Sequence, residues 1–142
     1  METTSAKQIT VETTVNAPVA KAWEFWSNPE HIPHWCFASD EWHAPHAEND
    51  LRIGGKFKTT MAAKDGSFGF DFEGEYTNVV QHQLVEYVLG DSRKVSIQFT
   101  DLGNATKVVE IFDMENTHSE EMQRDGWQAI LNNFKKYTET PQ

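Results

Sequence analysis

Covalent bracing is almost absent from this chain: of its 142 residues only Cys36 is a cysteine, so no internal disulfide can form. Positive charge is scarce too, with 12 Lys and Arg against 22 Asp and Glu and a formal net charge of −10. The longest basic cluster is Lys135-Lys136, and such a balance argues against nucleic acid or an anionic membrane as partner. Apolar runs extend over only a few residues, so membrane insertion is not expected. The stretch Met1 to Lys7 is polar and lacks the apolar segment of a secretory signal. These absences together point to a cytoplasmic protein. What the chain does have is rings. Nine Phe, five Trp and three Tyr stand within a hydrophobic fraction of only 38%. Rings are stiff and tile poorly, so an interior made of them can leave concave space for a planar guest. Length predicts one domain over residues 1–142, with its core at about 8–138.

The pattern along the chain is mixed. Ile9, Val11, Thr13 and Val15 alternate with polar residues, as in a half-buried strand. Asn16-Ala17-Pro18 then opens a helix, with Asn16 or Ala17 at the cap, Pro18 in the first turn, and Val19, Ala22, Trp23 and Trp26 as its buried stripe. Asn28-Pro29 breaks it, and a second short helix is expected from Pro29 to about Trp35. From Trp42 onward the period becomes two. Trp42, Ala44 and His46 share a face; Gly54-Gly55 marks a bend; Phe57, Thr59 and Met61 line the next strand; Lys64 to Ser67 turns a hairpin. Phe68, Phe70, Phe72 and Tyr76 follow on one face, with Gly74 in the same row. Val85, Tyr87 and Leu89 make another strand, and Val95, Ile97 and Phe99 the next. Thr106 to Met114 is ambiguous, because Val109 and Ile111 oppose Val108, Phe112 and Met114; Glu110 shares the side of Phe112.

A long helix closes the chain from Glu120 to about Thr138, with Thr117 and Glu120 at capping-box spacing. Its apolar residues, including Met122, Gly126, Trp127, Ile130, Leu131, Phe134 and Tyr137, spread over roughly 200°, where a helix on one sheet needs only ~100° or somewhat more. The excess predicts a helix that packs on a sheet along one part and closes a hollow along another. Gly126 on the inward face reads as close packing before it reads as space. Strands grouped together with helices at the ends make an α+β fold.

At this point four ordered motifs carry a resemblance. They are Asn16-Ala17-Pro18 with Trp23, Asn28-Pro29-Glu30-His31 and Trp35; Asp50-Leu51-Arg52-Ile53-Gly54-Gly55-Lys56-Phe57; Phe72-Glu73-Gly74-Glu75-Tyr76; and Gly126 to Phe134. The chain resembles the activator-of-Hsp90-ATPase-homologue (AHSA1-like) family of the START-like, or SRPBCC, superfamily, from about Ile9 to Tyr137. The resemblance implies a helix-grip (START-like, Bet v 1-like) fold. A curved antiparallel sheet would wrap a long C-terminal helix, with two short helices after the first strand and an apolar tunnel between sheet and helix. Superfamily relatives include lipid carriers, hormone receptors, polyketide cyclases and oxygenase subunits, so fold is implied far better than activity. The co-chaperone that names the family has a separate N-terminal domain for which this chain has no room, and Hsp90 is not expected as a partner.

Several chemistries find no support. His31 and His34, and His43 and His46, are three apart, but Pro45 interrupts the second pair and no further ligand lies at zinc spacing. They read as surface histidines, and no metal or cofactor is expected. There is no Gly-x-Ser-x-Gly elbow, Walker A motif or dinucleotide fingerprint, and Cys36 has no evident base. Three function classes remain. The preferred one is binding of an apolar small molecule or lipid. Its candidate walls are Trp42, Phe57, Met61, Phe70, Phe72, Tyr76, Tyr87 and Phe99 from the sheet, with Met122, Trp127 and Ile130 from the helix. Trp35 and Phe37 are expected at the mouth, and Thr59, His46 and Gln123 as orienting polar groups. The second is a cyclase-like or lyase-like enzyme using Glu110 or His46 as a buried acid or base. The third is a protein-interaction module. A monomer and a homodimer are equally compatible with the sequence.

Overall fold

The computed structural model describes residues 7–140; of the polar N-terminal stretch only Lys7 lies within them. Strand β1 (Gln8–Val15) leads into helix α1 (Val19–Ser27) and a 3-10 turn (Ile32–His34). Six strands follow, β2 (Trp42–Asn49), β3 (Lys56–Ala63), β4 (Gly69–Val80), β5 (Leu84–Leu89), β6 (Lys94–Asp101) and β7 (Thr106–Asp113), and helix α2 (Glu120–Glu139) closes the chain. All seven strands join one antiparallel sheet in the order β1-β7-β6-β5-β4-β3-β2. The sheet curls into a half-barrel around α2, as the α+β, helix-grip expectation requires. Of the two short helices expected after β1, the second is this single 3-10 turn, with Pro33 inside it.

Alternation does most of the work in the sheet. Ile9, Val11 and Val15 of β1 are buried on the face that meets α2, while Gln8, Thr10 and Glu12 are exposed. Strand β7 resolves its ambiguity the same way: Thr106, Val108, Glu110 and Phe112 point inward and Lys107, Val109, Ile111 and Asp113 outward. At Gly74 a Cβ would stand 2.6 Å from the Val88 carbonyl and 3.0 Å from the Phe57 ring. The missing side chain is what lets that ring lie against β4. Gly54 adopts φ +84, a conformation favouring glycine, in the bend before β3.

Helix α2 is fixed at three heights. Lys7 Nζ meets Glu120 Oε1 at 2.6 Å, Gln128 Nε2 donates to the Glu12 carbonyl at 3.2 Å, and the Asn16 amide donates to Glu139 Oε2 at 2.7 Å. Its N-cap is Ser119, whose hydroxyl accepts from the Met122 amide at 3.1 Å. Thr117 does not cap it; its amide donates to Glu115 Oε1. At the other end of the chain, Pro18 occupies the N-cap of α1, after the expected Asn16 or Ala17, with no side-chain cap. Rings fill the space between the helices. Trp26 stacks on Trp35 at 4.9 Å and meets Phe134 edge-on at 4.9 Å, while the Trp35 indole donates to the Phe25 carbonyl at 3.0 Å.

Candidate functional site

The concave face of β3, β4, β5 and β7 does not close completely on α2. Between them lies a cavity of about 300 Å³. Its sheet wall comprises Phe57, Thr59, Met61, Phe70, Phe72, Tyr76, Tyr87 and Glu110, its helix wall Trp127 and Ile130, and its floor Trp26, Ile32, Trp35 and Cys36. A second, outer chamber of about 290 Å³ shares Met61, Phe70, Arg93, Glu115, Trp127 and Ile130 with the first. It adds Trp42, Met122, Gln123 and Gly126. The walls are braced ring to ring: Trp127 stacks on Phe112 at 3.9 Å and meets Phe72 edge-on at 5.9 Å, and Phe57 meets Tyr87 edge-on at 4.7 Å.

Ten of the sixteen candidate residues line the inner cavity and three more, Trp42, Met122 and Gln123, line the outer one. Met122 is 61% exposed, so it forms a lip rather than a wall. Gln123 is buried, but its amide is engaged: Oε1 accepts from the Glu115 amide at 2.9 Å, and Nε2 donates to the carbonyls of Glu115 and His118. It holds the loop onto the helix. The other three candidates lie elsewhere. Phe99 is buried against Trp23 and Trp26 beneath α1. Phe37 is half-buried outside the lining, with its carbonyl accepting from Asn133 Nδ2. His46 is exposed and pairs with Glu48 Oε2 at 2.8 Å. Its displacement has a local cause. The pairing of β2 with β3 slips between His43 and His46, so Ala44 points in, Pro45 and His46 both point out, and Ala47 points in again. His46 therefore drops out as acid or base of the cavity. Gly126 is also a correction: a Cβ there would meet nothing within 4 Å, so it leaves space instead of permitting close packing.

Sequence reasoning missed Trp26, Ile32, Cys36, Asn49, Arg93 and Glu115 as lining residues. Asn49 accepts a short hydrogen bond from the Tyr76 hydroxyl, and Arg93 Nε pairs with Asp91 Oδ2 at 2.7 Å. Only Trp26 carried a signal, its place on the stripe of α1. The electrostatic centre is Glu110. It is 4% exposed, and burial alone pushes its carboxyl up to about 8. Burial, with a contribution from Glu110, pushes the Cys36 thiol up to about 12 and the Tyr87 phenol well above its ordinary value. The histidines hold structure. His31 stacks on Phe25 at 4.0 Å with its Nδ1 2.7 Å from the Tyr137 hydroxyl, and His34 stacks on Tyr137 at 5.3 Å. Among the described residues no three His, Cys, Asp or Glu side chains gather as a metal site would need.

Residues 16–139 match the model of the activator of Hsp90 ATPase homolog 1-like protein family. The chain belongs to that family. It is similar over 94% of its length to the AHSA1-like protein of Aeromonas hydrophila, at 41% identity, covering 92% of that chain with a TM-score of 0.88. A Cytophaga hutchinsonii protein of known solution structure is 57% identical over 93% of this chain and 92% of its own, with a TM-score of 0.81. A Chromobacterium violaceum protein, at 18% identity and a TM-score of 0.85 over 95% of this chain and 99% of its own, shares the fold. No curated protein matches. Family membership explains the glycine bends and the Gly126 to Phe134 motif as parts of one scaffold. No described helix is long and apolar enough to cross a membrane.

Proposed function

We propose that the protein binds an apolar, partly aromatic small molecule or lipid in the space between sheet and α2, and does so in the cytoplasm. The observation that carries this reading is the cavity of about 300 Å³ walled by rings from three strands, β3, β4 and β5, and from both helices. Rings offer contact area at low rotamer cost, and edge-to-face contacts add roughly 0.5–1.5 kcal/mol each beyond burial. The rim supports the same reading. Phe68 is 61% exposed and Phe70 44%, and both lie 6.0 Å from the Trp42 ring. Such exposed rings give an apolar guest its first contact before it enters the outer chamber. Membership of a START-like family, whose fold commonly houses hydrophobic ligands, adds independent support.

Native mass spectrometry of protein purified from its source, followed by extraction of the bound species, identifies the guest. Phe72→Ala and Trp127→Ala are the companion variants. The expected outcome is a loss of bound mass in both. Lowered stability with unchanged binding would assign them to the core alone. A second reading, acid–base catalysis in the same cavity, rests on Glu110; turnover of a captured ligand, lost in Glu110→Gln, distinguishes it from binding.

A further inference from the structure

Three protic side chains from separate parts of the chain face the inner cavity: Cys36 after the 3-10 turn, Tyr87 of β5 and Glu110 of β7. All three are buried, at 9%, 7% and 4% exposure. Neither the Glu110 carboxyl nor the Tyr87 hydroxyl has a hydrogen-bond partner among the described residues, and neither is sealed off like the Thr138 hydroxyl, so their polar atoms open onto the cavity. Two unspent polar groups aimed into one ring-lined hollow are a recognition element awaiting its complement. We infer that Glu110 and Tyr87, beside Cys36, act as a cluster of hydrogen-bond donors for a neutral oxygen acceptor, such as the carbonyl of an aromatic ketone, quinone or lactone. This rests on the proposed binding of an apolar ligand and names its polar feature.

The alternative complement, an organic ammonium, would need Glu110 ionised. The surroundings oppose that. The titratable groups that share the cavity are Cys36, Tyr76, Tyr87, Arg93 and Glu115; α2 contributes only Trp127 and Ile130, and the neighbours paired with Glu110 are Val11 and Ile97. Arg93 is the sole cation among them and is already paired with Asp91. Glu115 is engaged by His118 Nδ1 at 2.9 Å. Without a cation beside it, a buried carboxyl keeps its proton, and its value of about 8 has desolvation as its cause. Tyr87 and Cys36 are held in their protonated forms by the same burial. At neutral pH the cluster therefore presents O–H and S–H groups.

The test uses two dyes, 6-propionyl-2-(dimethylamino)naphthalene and its analogue with CH₂ in place of the carbonyl, and a third probe that carries a primary ammonium in place of the carbonyl. Affinities are measured by fluorescence at pH 6.5 and 9.5. Wild type should prefer the ketone by about tenfold at pH 6.5, as expected for one or two net hydrogen bonds, and lose most of that preference at pH 9.5. Glu110→Gln, which keeps a donor but cannot titrate, should retain the preference at both pH values. Glu110→Leu and Tyr87→Phe should each reduce it. Equal, pH-independent binding of both dyes overturns the donor cluster and leaves the apolar cavity standing. Tighter ketone binding at pH 9.5, or stronger binding of the primary-ammonium analogue at pH 6.5, also overturns it. Failure of both dyes to bind a protein with native near-ultraviolet dichroism overturns the ligand-binding reading itself.

Discussion

Glu110 is the residue whose surroundings matter most, because its burial links stability to pH. Its folded carboxyl is raised from 4.5 to about 8, so between those values the folded state binds more protons than the unfolded one. Stability therefore falls as pH rises through that window and levels off above pH about 8. The total is on the order of 5 kcal/mol, an upper bound for one buried group. Glu110→Gln should match wild type below pH 5 and exceed it at pH 9. Urea midpoints across pH 5–9 read the difference, and parallel curves for the two proteins would exclude the linkage. Thr138 gives a second case. It is fully buried on α2 and its hydroxyl has no hydrogen-bond partner among the described residues. Thr138→Val keeps the shape and removes an unsatisfied polar atom, so it should raise stability by about 1–2 kcal/mol in urea unfolding. Thr138 carried no signal in the sequence, and Glu110 stood there as a candidate whose face was open. Glu110 sits on a strand apolar on both sides, and alternation cannot choose a face there. The β1 and β6 neighbours choose it.

At the scale of elements, period two was enough to find the strands and excess apolar circumference enough to find the helix over a hollow. His46 was misplaced by a local irregularity that alternation does not encode, whereas Phe99 keeps its register on β6 and is covered by α1. Pro45 cannot donate to a ladder, the slip in pairing falls beside it, and His46 turns outward with it. Capping shows the same limit: Thr117 and Glu120 have the right spacing, but the helix begins at Ser119. Ser119→Ala should cost about 1 kcal/mol of stability. Thr117→Ala should stay within about 0.5 kcal/mol as an ordinary surface change. Equal losses would restore the capping box. Gly126 completes the element scale. It lies in mid-helix with open space before it, so Gly126→Ala should stabilise α2 by up to about 1 kcal/mol. A loss of stability on calorimetric melting would mean that the space is filled.

For the whole molecule, the decisive matter is whether seven strands closing on one helix leave a hollow or a tightly packed interior. The two chambers of about 300 and 290 Å³ meet at Met61, Phe70, Trp127 and Ile130. Atoms lining empty space forgo dispersion contacts that a close-packed core would make. A guest that restores them binds the folded state only, adding about 2.7 kcal/mol to stability at a concentration 100 times its Kd. Ile130 is half-buried on the shared wall, which makes Ile130→Phe a direct probe. In a filled interior the larger ring would overpack and cost about 1–3 kcal/mol. In a hollow one the ring occupies the guest's place. The variant should then keep or gain stability in urea unfolding while losing the bound mass in native mass spectrometry. Stability gained with binding lost is the signature of a core left open for a ligand. Stability lost with binding intact would show that the space beside Ile130 already belongs to the protein's own atoms.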